Sequence, residues 1–402
     1  MREAVCCALP AVGVVTALGS GVEETWPRLV AGDQSRLTLR DDLVPERPLL
    51  VGAVRDPLPS IPETLRRYAC RNNQLVLAAL GQIERRIRMA IEIQGAERVG
   101  VVMGTSTSGV AAAEAAVAHV MRAGMLPPEF DGVQLEHGGL AEFVSAWAGA
   151  GGPAYTISTA CSSGAKAIAS ARALLALGVC DAVIAGAADS LCRLTANGFH
   201  ALQAISDTPS NPFSVHRNGL TLGEGAAVFL LLREPGGIQL VGAGEAGDAF
   251  HMSAPDPNGR GAERAMRAAL NDAGVPPRAV HYLNLHGTGT PLNDSMEGHA
   301  VHRVFGAALP CSSTKPLIGH TLGASGAIEL AFCWMMLAEW RRGALPLLPH
   351  RWDGVADPDL PSLCLARVGD RLDLTTAALV MSNAFGFGGN NCSLLLGAEA
   401  PC

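Results

Sequence analysis

The 402 residues carry 30 basic side chains against 37 acidic ones, and a formal net charge of −7 gives no general reason to expect nucleic acid or an anionic membrane as partner. Hydrophobic residues make up 49% and charged residues only 17%, so the chain can bury a substantial core, and its 46 glycines point to many tight turns. Eleven cysteines lie scattered without metal-ligand spacing, and their odd number fits poorly with a disulfide framework, which implies a reducing cytoplasm.

At the start, Arg2 followed by an apolar run superficially resembles a signal peptide. Glu3 and Pro10 interrupt that run, Cys6 and Cys7 sit side by side, and a Gly-Ser-Gly turn leads straight into a helix-like stretch from Val22. The segment therefore reads as a first core strand. Further along, apolar runs bounded by glycine predict strands over 99–103, 182–186, 228–232, 238–241, 282–285, 378–382 and 392–396. Helical patterns cover 72–86, 109–121, 162–177, 262–273 and 325–339. Such alternation argues an α/β architecture with strands buried on both faces. The apolar stretch 328–337 is too short to span a bilayer, which needs about 20 residues.

A turn over 232–237 separates halves that echo each other. Ser163-Gly164-Ala165 opens one long helix and Ser325-Gly326-Ala327 another; LGEGAAVFLLL closes the first half and GFGGNNCSLLL the second. A duplicated α/β unit, divided as 1–235 and 236–402, would produce this pattern.

Cys161 sits where the strand-like run 155–159 meets a helix opened by Ser162, Ser163 and Gly164. A helix N-terminus carries roughly half a positive charge, which favours the thiolate that a nucleophile requires. A buried structural cysteine would look similar, and Cys180, Cys192, Cys311 and Cys333 read as such core residues. His286 follows YLNL and precedes Gly-Thr-Gly-Thr-Pro, a strand end opening into a hydroxyl-rich loop of the kind where α/β proteins build sites. His320 lies between two glycine-containing turns, just before the helix near Ser325, with Lys315 five residues upstream. The chain has only two lysines, Lys166 and Lys315, against 28 arginines, so a lysine here suggests a point charge with three donors. His216, His251, His281, His299 and His302 read as surface, loop or structural residues. No HExxH or other compact ligand set appears, and no metal is expected. Near the end, MSNAFGFGGNN joins two strands and lacks the GxGxxG spacing of a dinucleotide site; it reads either as a tight hairpin or as a loop whose Phe385 and Phe387, set near an apolar channel, would suit an acyl substrate.

Together these segments resemble the β-ketoacyl-acyl-carrier-protein synthases of the I/II type, members of the thiolase-like superfamily. The resemblance rests on TACSSG around Cys161, NPFSVHRNGLTLGEGA from Asn211, DAFHMSAP from Asp248, HGTGTP from His286, SSTKPLIGHTLGASGAIE from Ser312 and NAFGFGGNN from Asn383, in that order, with GVVTALGSGVEETWPRLVAG from Gly13. It implies a five-layered αβαβα fold of two pseudo-symmetric halves, the first carrying the nucleophile and the second the histidines. It also implies decarboxylative Claisen condensation through a Cys161–His286–His320 triad, with Lys315 supporting the histidines and Glu329 as a buried structural acid. By the same resemblance the backbone N–H groups of Cys161 and Phe387 form an oxyanion hole. Phe199 and Phe387 gate the acyl pocket, and Thr288 and Thr290 meet the phosphopantetheine arm of an acyl carrier protein; no cofactor is bound. Both histidines must be neutral donors, so activity is expected to fall as they protonate below about pH 6–7.

Between Gly124 and Gly152 the familiar pattern is replaced by LPPEFDGVQLEHGGLAEFVSAWAG. That region shapes the pocket and dimer contact in the family, whereas CRNNQLVLAAL from Cys70 and ADSLCRLTANGF look more like ketosynthases of aryl-polyene or type II polyketide clusters. The partner is then a second copy or a chain-length-factor-like homologue. Arg66, Arg67 and Arg71 are candidate cations for docking the acidic carrier. Two other readings stand beside this one: a non-decarboxylating thiolase, for which Cys392 would be the second cysteine, and a chain-length-factor-like subunit, which typically lacks the nucleophile.

Overall fold

In the computed structural model, residues 7–340 and 343–399 are described; Arg2, Glu3 and Cys6 lie outside them. The first core strand, β1 (Ala8–Thr16), is almost wholly buried and leads through a short turn into α1 (Val22–Ala31). There follow α2 (Arg71–Gln94), β2 (Val99–Gly104), α3 (Val110–Ala123), α4 (Gly138–Ala148), β3 (Ala154–Ile157), α5 (Ser163–Ala176), β4 (Ala182–Asp189), α6 (Arg193–Ala201) and β5 (Gly225–Leu232). The second half runs β6 (Ile238–Gly247), α7 (Arg260–Ala273), β7 (Tyr282–Asn284), α8 (Pro291–Phe305), β8 (Pro310–Ser312), α9 (Lys315–Ile318), α10 (Ser325–Trp340), β9 (Ala377–Gly386) and β10 (Asn390–Glu399).

These ten strands belong to one 12-stranded sheet in which the order β3-β2-β4-β5-β1 is repeated as β8-β7-β9-β10-β6. In each half the last strand, β5 or β10, runs antiparallel to both neighbours, and the inner pairs are parallel. The halves join where Ala8 of β1 faces Gln239 of β6. Parallel strands need cover on both faces, and β2 and β4 are buried at every residue. Helices α2 and α4 cover one outer face and α7 and α8 the other, while α5 and α10 fill the middle. This is the five-layered αβαβα arrangement of the thiolase-like fold.

The two SGA segments meet at the centre. A Cβ on Gly164 would lie 2.9 Å from the Ala327 nitrogen, and one on Gly326 would lie 2.7 Å from the Ala165 Cβ. The helix starts therefore pack reciprocally, with no room for a side chain. Gly326→Ala is expected to destabilise by at least about 2 kcal/mol through overpacking, read as a lowered thermal midpoint. A midpoint unchanged or raised would show that the crossing can open.

Helix α10 is buried nearly all round, as a central core helix must be. With the turn before it, Leu322–Trp340 is long and apolar enough to cross a bilayer, which the shorter stretch read from sequence is not, but 83% of that span is buried inside the protein. Its apolarity belongs to the core.

Candidate active site

Cys161 occupies a turn tied by its own hydroxyls. Ala160 takes a left-handed φ of 53°, the Thr159 N–H donates to Ser163 Oγ at 2.8 Å, and Ser162 Oγ donates to the Thr159 carbonyl at 2.9 Å. A non-glycine residue in that region is strained, and the surrounding bonds hold it there. The thiol is thus presented at the start of α5, beneath the β9–β10 turn.

His286 follows β7. Its backbone N–H and that of Gly287 each donate to Glu297 on α8 at 2.7 Å. His320 precedes α10, pinned by its N–H to the Thr221 carbonyl at 2.6 Å. The two imidazole centroids stand 5.3 Å apart at 85°. His320 Nε2 lies 3.1 Å from Cys161 Sγ. Lys315 and Glu329 pair at 2.6 Å with both side chains about 1% exposed, and Lys315 Nζ also reaches His286 Nδ1 at 3.3 Å.

Those partners set the tautomers. An ammonium only donates, so His286 Nδ1 accepts and Nε2 carries the proton. The Leu322 N–H, also a fixed donor, points at His320 Nδ1 at 3.2 Å, which likewise leaves the proton on Nε2. Burial and the Lys315 charge hold both imidazoles well below their ordinary range, so both are neutral. The expected loss of activity through their protonation near pH 6–7 is corrected accordingly: desolvation moves that titration to lower pH. Burial also pushes the Cys161 thiol up to about 11, against the pull of Lys315 and the N–H groups of Phe387 and Cys161 itself. The helix terminus does not outweigh desolvation, contrary to the local reading.

A cavity of about 280 Å³ opens onto Cys161, His286 and His320, and Phe199, Thr288, Thr290, Phe385 and Phe387 line it. The rings of Phe199 and Phe387 meet at 5.6 Å across it, and Thr288 Oγ1 lies 2.9 Å from Thr290 Oγ1. Cys392 is buried within β10 and is not among the lining residues. The donor atoms of Cys161, His286 and His320 lie within 4.8 Å of one another, near enough to hold a metal. The adjacent Lys315 ammonium opposes a cation there.

Three residues stand apart. Arg66 is 79% exposed beside Glu63, and Arg67 lies 3.8 Å from Asp131 with its guanidinium over the Tyr68 ring. Arg71 instead donates to buried Glu224 at 2.8 Å and to the Val54 carbonyl at 3.0 Å. Its charge is engaged inside the fold, which corrects its place among the docking cations.

Sequence reading missed His350, buried with its Nδ1 accepting from the Ser313 N–H at 3.1 Å and pushed down to about 4 by burial. It also missed the acids behind His286: Asp294 and Glu297, raised by burial to about 6 and about 7. Their spacing of three residues on the helix after HGTGTP was the available signal.

Residues 8–235 match the family model for the β-ketoacyl synthase N-terminal domain, and residues 238–346 match that for its C-terminal domain. The chain belongs to the β-ketoacyl synthase family. A 3-oxoacyl-[acyl-carrier-protein] synthase 2 of Staphylococcus aureus is 31% identical over 98% of this chain and 99% of the relative. Among solved structures, the ketosynthase (ApeO) in complex with its chain length factor (ApeC) from Xenorhabdus doucetiae is 41% identical, with a TM-score of 0.92 over 99% of both chains. The ishigamide ketosynthase/chain length factor is 25% identical with a TM-score of 0.85, covering 98% of this chain and 100% of that one. As a β-ketoacyl synthase the chain is an acyltransferase of the condensing type, acting in fatty-acid or polyketide elongation.

Proposed function

We propose that this β-ketoacyl synthase loads its acyl chain on Cys161 and extends it with a malonyl unit whose enolate His286 and His320 stabilise. The supporting observation is that both imidazoles are held as neutral Nε2–H donors at the cavity that Cys161 shares. The Cys161 thiolate attacks the carrier-bound thioester, and the N–H groups of Cys161 and Phe387 receive the oxyanion; removing one such donor typically costs about 10²–10³ in rate. The carrier leaves as a thiol with the proton that Cys161 gave up on becoming the thiolate, and the thiolate regenerated at the end takes one from solvent. The malonyl thioester carbonyl then accepts from both Nε2–H groups, the bond to carboxylate breaks, and carbon dioxide departs. The enolate carbon attacks acyl-Cys161, the carbon–sulfur bond breaks, and the thiolate is regenerated beside a β-ketoacyl product two carbons longer. Lys315 and Glu329 fix the site from behind, and Thr288 and Thr290 meet the phosphopantetheine arm that carries both substrates.

The substrate class we assign is a polyene or related type II polyketide chain, and the partner a chain-length-factor-like homologue. The similarity to the Xenorhabdus ketosynthase supports this. So does α3, whose only buried residue is Ala116, with Val117 and Met121 on it and Met125 just after it exposed. Arg66 and Arg67 remain the docking cations for an acidic carrier. Free thiols on Cys70, Cys180, Cys311, Cys333 and Cys392 fit a reducing cytoplasm. A thiolase reading would need Cys392 in the cavity, and a non-catalytic subunit would not keep Cys161 with both histidines.

Intact-mass spectrometry after incubation with saturated and polyunsaturated acyl-carrier proteins tests this, with and without the partner homologue. A mass gain in the wild type and none in Cys161→Ala is expected, greatest for polyunsaturated chains. Equal gain in both proteins would remove Cys161 from its role.

A further inference from the structure

Asp189, at the end of β4, is fully buried and takes no part in lining the cavity. Its carboxylate nevertheless gathers an unusual number of donors. Oδ1 accepts from Thr105 Oγ1 at 2.6 Å, Thr107 Oγ1 at 2.7 Å and the Thr107 N–H at 2.9 Å. Oδ2 accepts from Ser106 Oγ at 2.7 Å and from the Gly323 N–H at 2.6 Å, while the Ser106 N–H is 3.0 Å from both oxygens. One carboxylate thus joins the loop after β2 to the segment directly after His320.

That segment is strained. Leu322 holds a left-handed φ of 51°, a conformation that costs a residue with a side chain roughly 1–2 kcal/mol. In this conformation its N–H reaches His320 Nδ1 at 3.2 Å. Ser325 Oγ is the other neighbour of Nδ1, at 2.8 Å, but a hydroxyl can donate or accept and so cannot choose the tautomer. The Leu322 amide can only donate. What keeps it aimed is the next peptide, whose Gly323 N–H ends on Asp189; a Cβ at residue 323 would come within 2.6 Å of Oδ2, so the approach is close as well as bonded.

We propose that Asp189 is a positioning residue for the condensation: by anchoring Gly323 it holds Leu322 left-handed and thereby keeps His320 in the Nε2–H form. It touches neither substrate nor Cys161. The inference rests on the role given to His320 above. Without the anchor, Leu322 relaxes toward right-handed or extended backbone, Nδ1 loses its obligate donor, and the imidazole populates the Nδ1–H tautomer with Ser325 Oγ as acceptor. Nε2 then faces the cavity as a lone pair, unable to donate to the enolate. Loss of a partner that orients a catalytic group typically costs about 10–100-fold, and a wrong histidine tautomer more.

The test compares Asp189→Asn, Ser106→Ala and His320→Ala with wild type in three readouts: malonyl-carrier decarboxylation, alkylation of Cys161, and the ¹⁵N shifts of His320 in histidine-labelled protein. Asp189→Asn is expected to lower decarboxylation about 10²-fold, not to slow alkylation, since the Asp189 charge helps to hold the Cys161 thiol up, and to move the His320 nitrogens toward the Nδ1–H pattern. Ser106→Ala, whose hydroxyl touches both Oδ2 and the Gly323 N–H, keeps the carboxylate and stands in if Asp189→Asn does not fold; a drop of about threefold or more with a partial tautomer shift is then expected. A folded Asp189→Asn, or failing it a Ser106→Ala, with wild-type His320 shifts overturns the inference. If His320→Ala itself retains decarboxylation, the role of His320 fails first, and the tautomer shifts still report on Asp189.

Discussion

Replacing Lys315 with methionine is expected to cost about 3–5 kcal/mol of stability and to lower malonyl decarboxylation by a factor on the order of 10²–10⁴. Both losses have one cause. Lys315 and Glu329 bury a charge pair completely, 2.6 Å apart, at the inner end of α10. Burial already raises the Glu329 carboxyl to about 7 with the ammonium beside it. Without that cation the carboxylate must take up a proton or remain a bare charge in the core. The same ammonium gives His286 its Nδ1 donor, so its loss frees the tautomer. The double variant Lys315→Met/Glu329→Gln separates the two effects. A neutral pair of similar shape is expected to recover most of the stability. Decarboxylation is expected to stay low, because methionine donates nothing to His286. Recovery of both midpoint and rate would reduce Lys315 to a structural role.

The second large effect concerns pH. The buried Cys161 thiol sits at about 11, so its thiolate fraction grows tenfold per pH unit through the whole accessible range. Alkylation of Cys161 by iodoacetamide is therefore expected to accelerate about 10³-fold between pH 7 and 10. Decarboxylation should behave differently. Both imidazoles are depressed well below 6.5 and stay neutral as pH falls through that value, so any loss of rate on acidification is expected to follow Glu297 and Glu329, raised to about 7, rather than the histidines. A plateau of alkylation already at pH 7 would mean that the helix terminus and Lys315 together win over burial. An acid limb that Glu297→Gln and Glu329→Gln both retain would mean that a histidine is solvated in the working enzyme.

Which parts of this were legible beforehand follows a physical division. Strand and helix cores were readable because their pattern is local, and so was the reciprocal SGA pair that turned out to cross at the centre. The ends were not: β5 begins at Gly225 rather than at 228, since Gly225, Ala226 and Ala227 carry little strand propensity and are placed by β1 and β4. Likewise α2 runs on to Gln94 past a charged stretch that its solvent face tolerates. Cys161, His286, His320 and Lys315 were each visible as odd residues in odd places, but their convergence came from the family resemblance. Arg71 was misplaced because its partner, Glu224, lies 153 positions away. Asp189 gave no sign at all, being one acid after a run of small residues, and its donors come from two segments, 105–107 and Gly323, far apart in the chain. The direction of the Cys161 shift was misjudged for the same reason: a helix start is local, whereas desolvation is set by every layer packed above the thiol.

The lysine shortage has a practical consequence. Of the two side-chain amines, Lys315 is sealed in the core, and Lys166 is 15% exposed and held between Glu245 and Asn390. Every other fixed cation is a guanidinium, which thioesters and activated esters do not acylate under mild conditions. A protein that handles reactive acyl groups thus offers them almost no competing amine among its side chains. By the same token, amine-directed cross-linkers and dyes will report poorly on its assemblies. Carboxyl- or arginine-directed reagents suit them better.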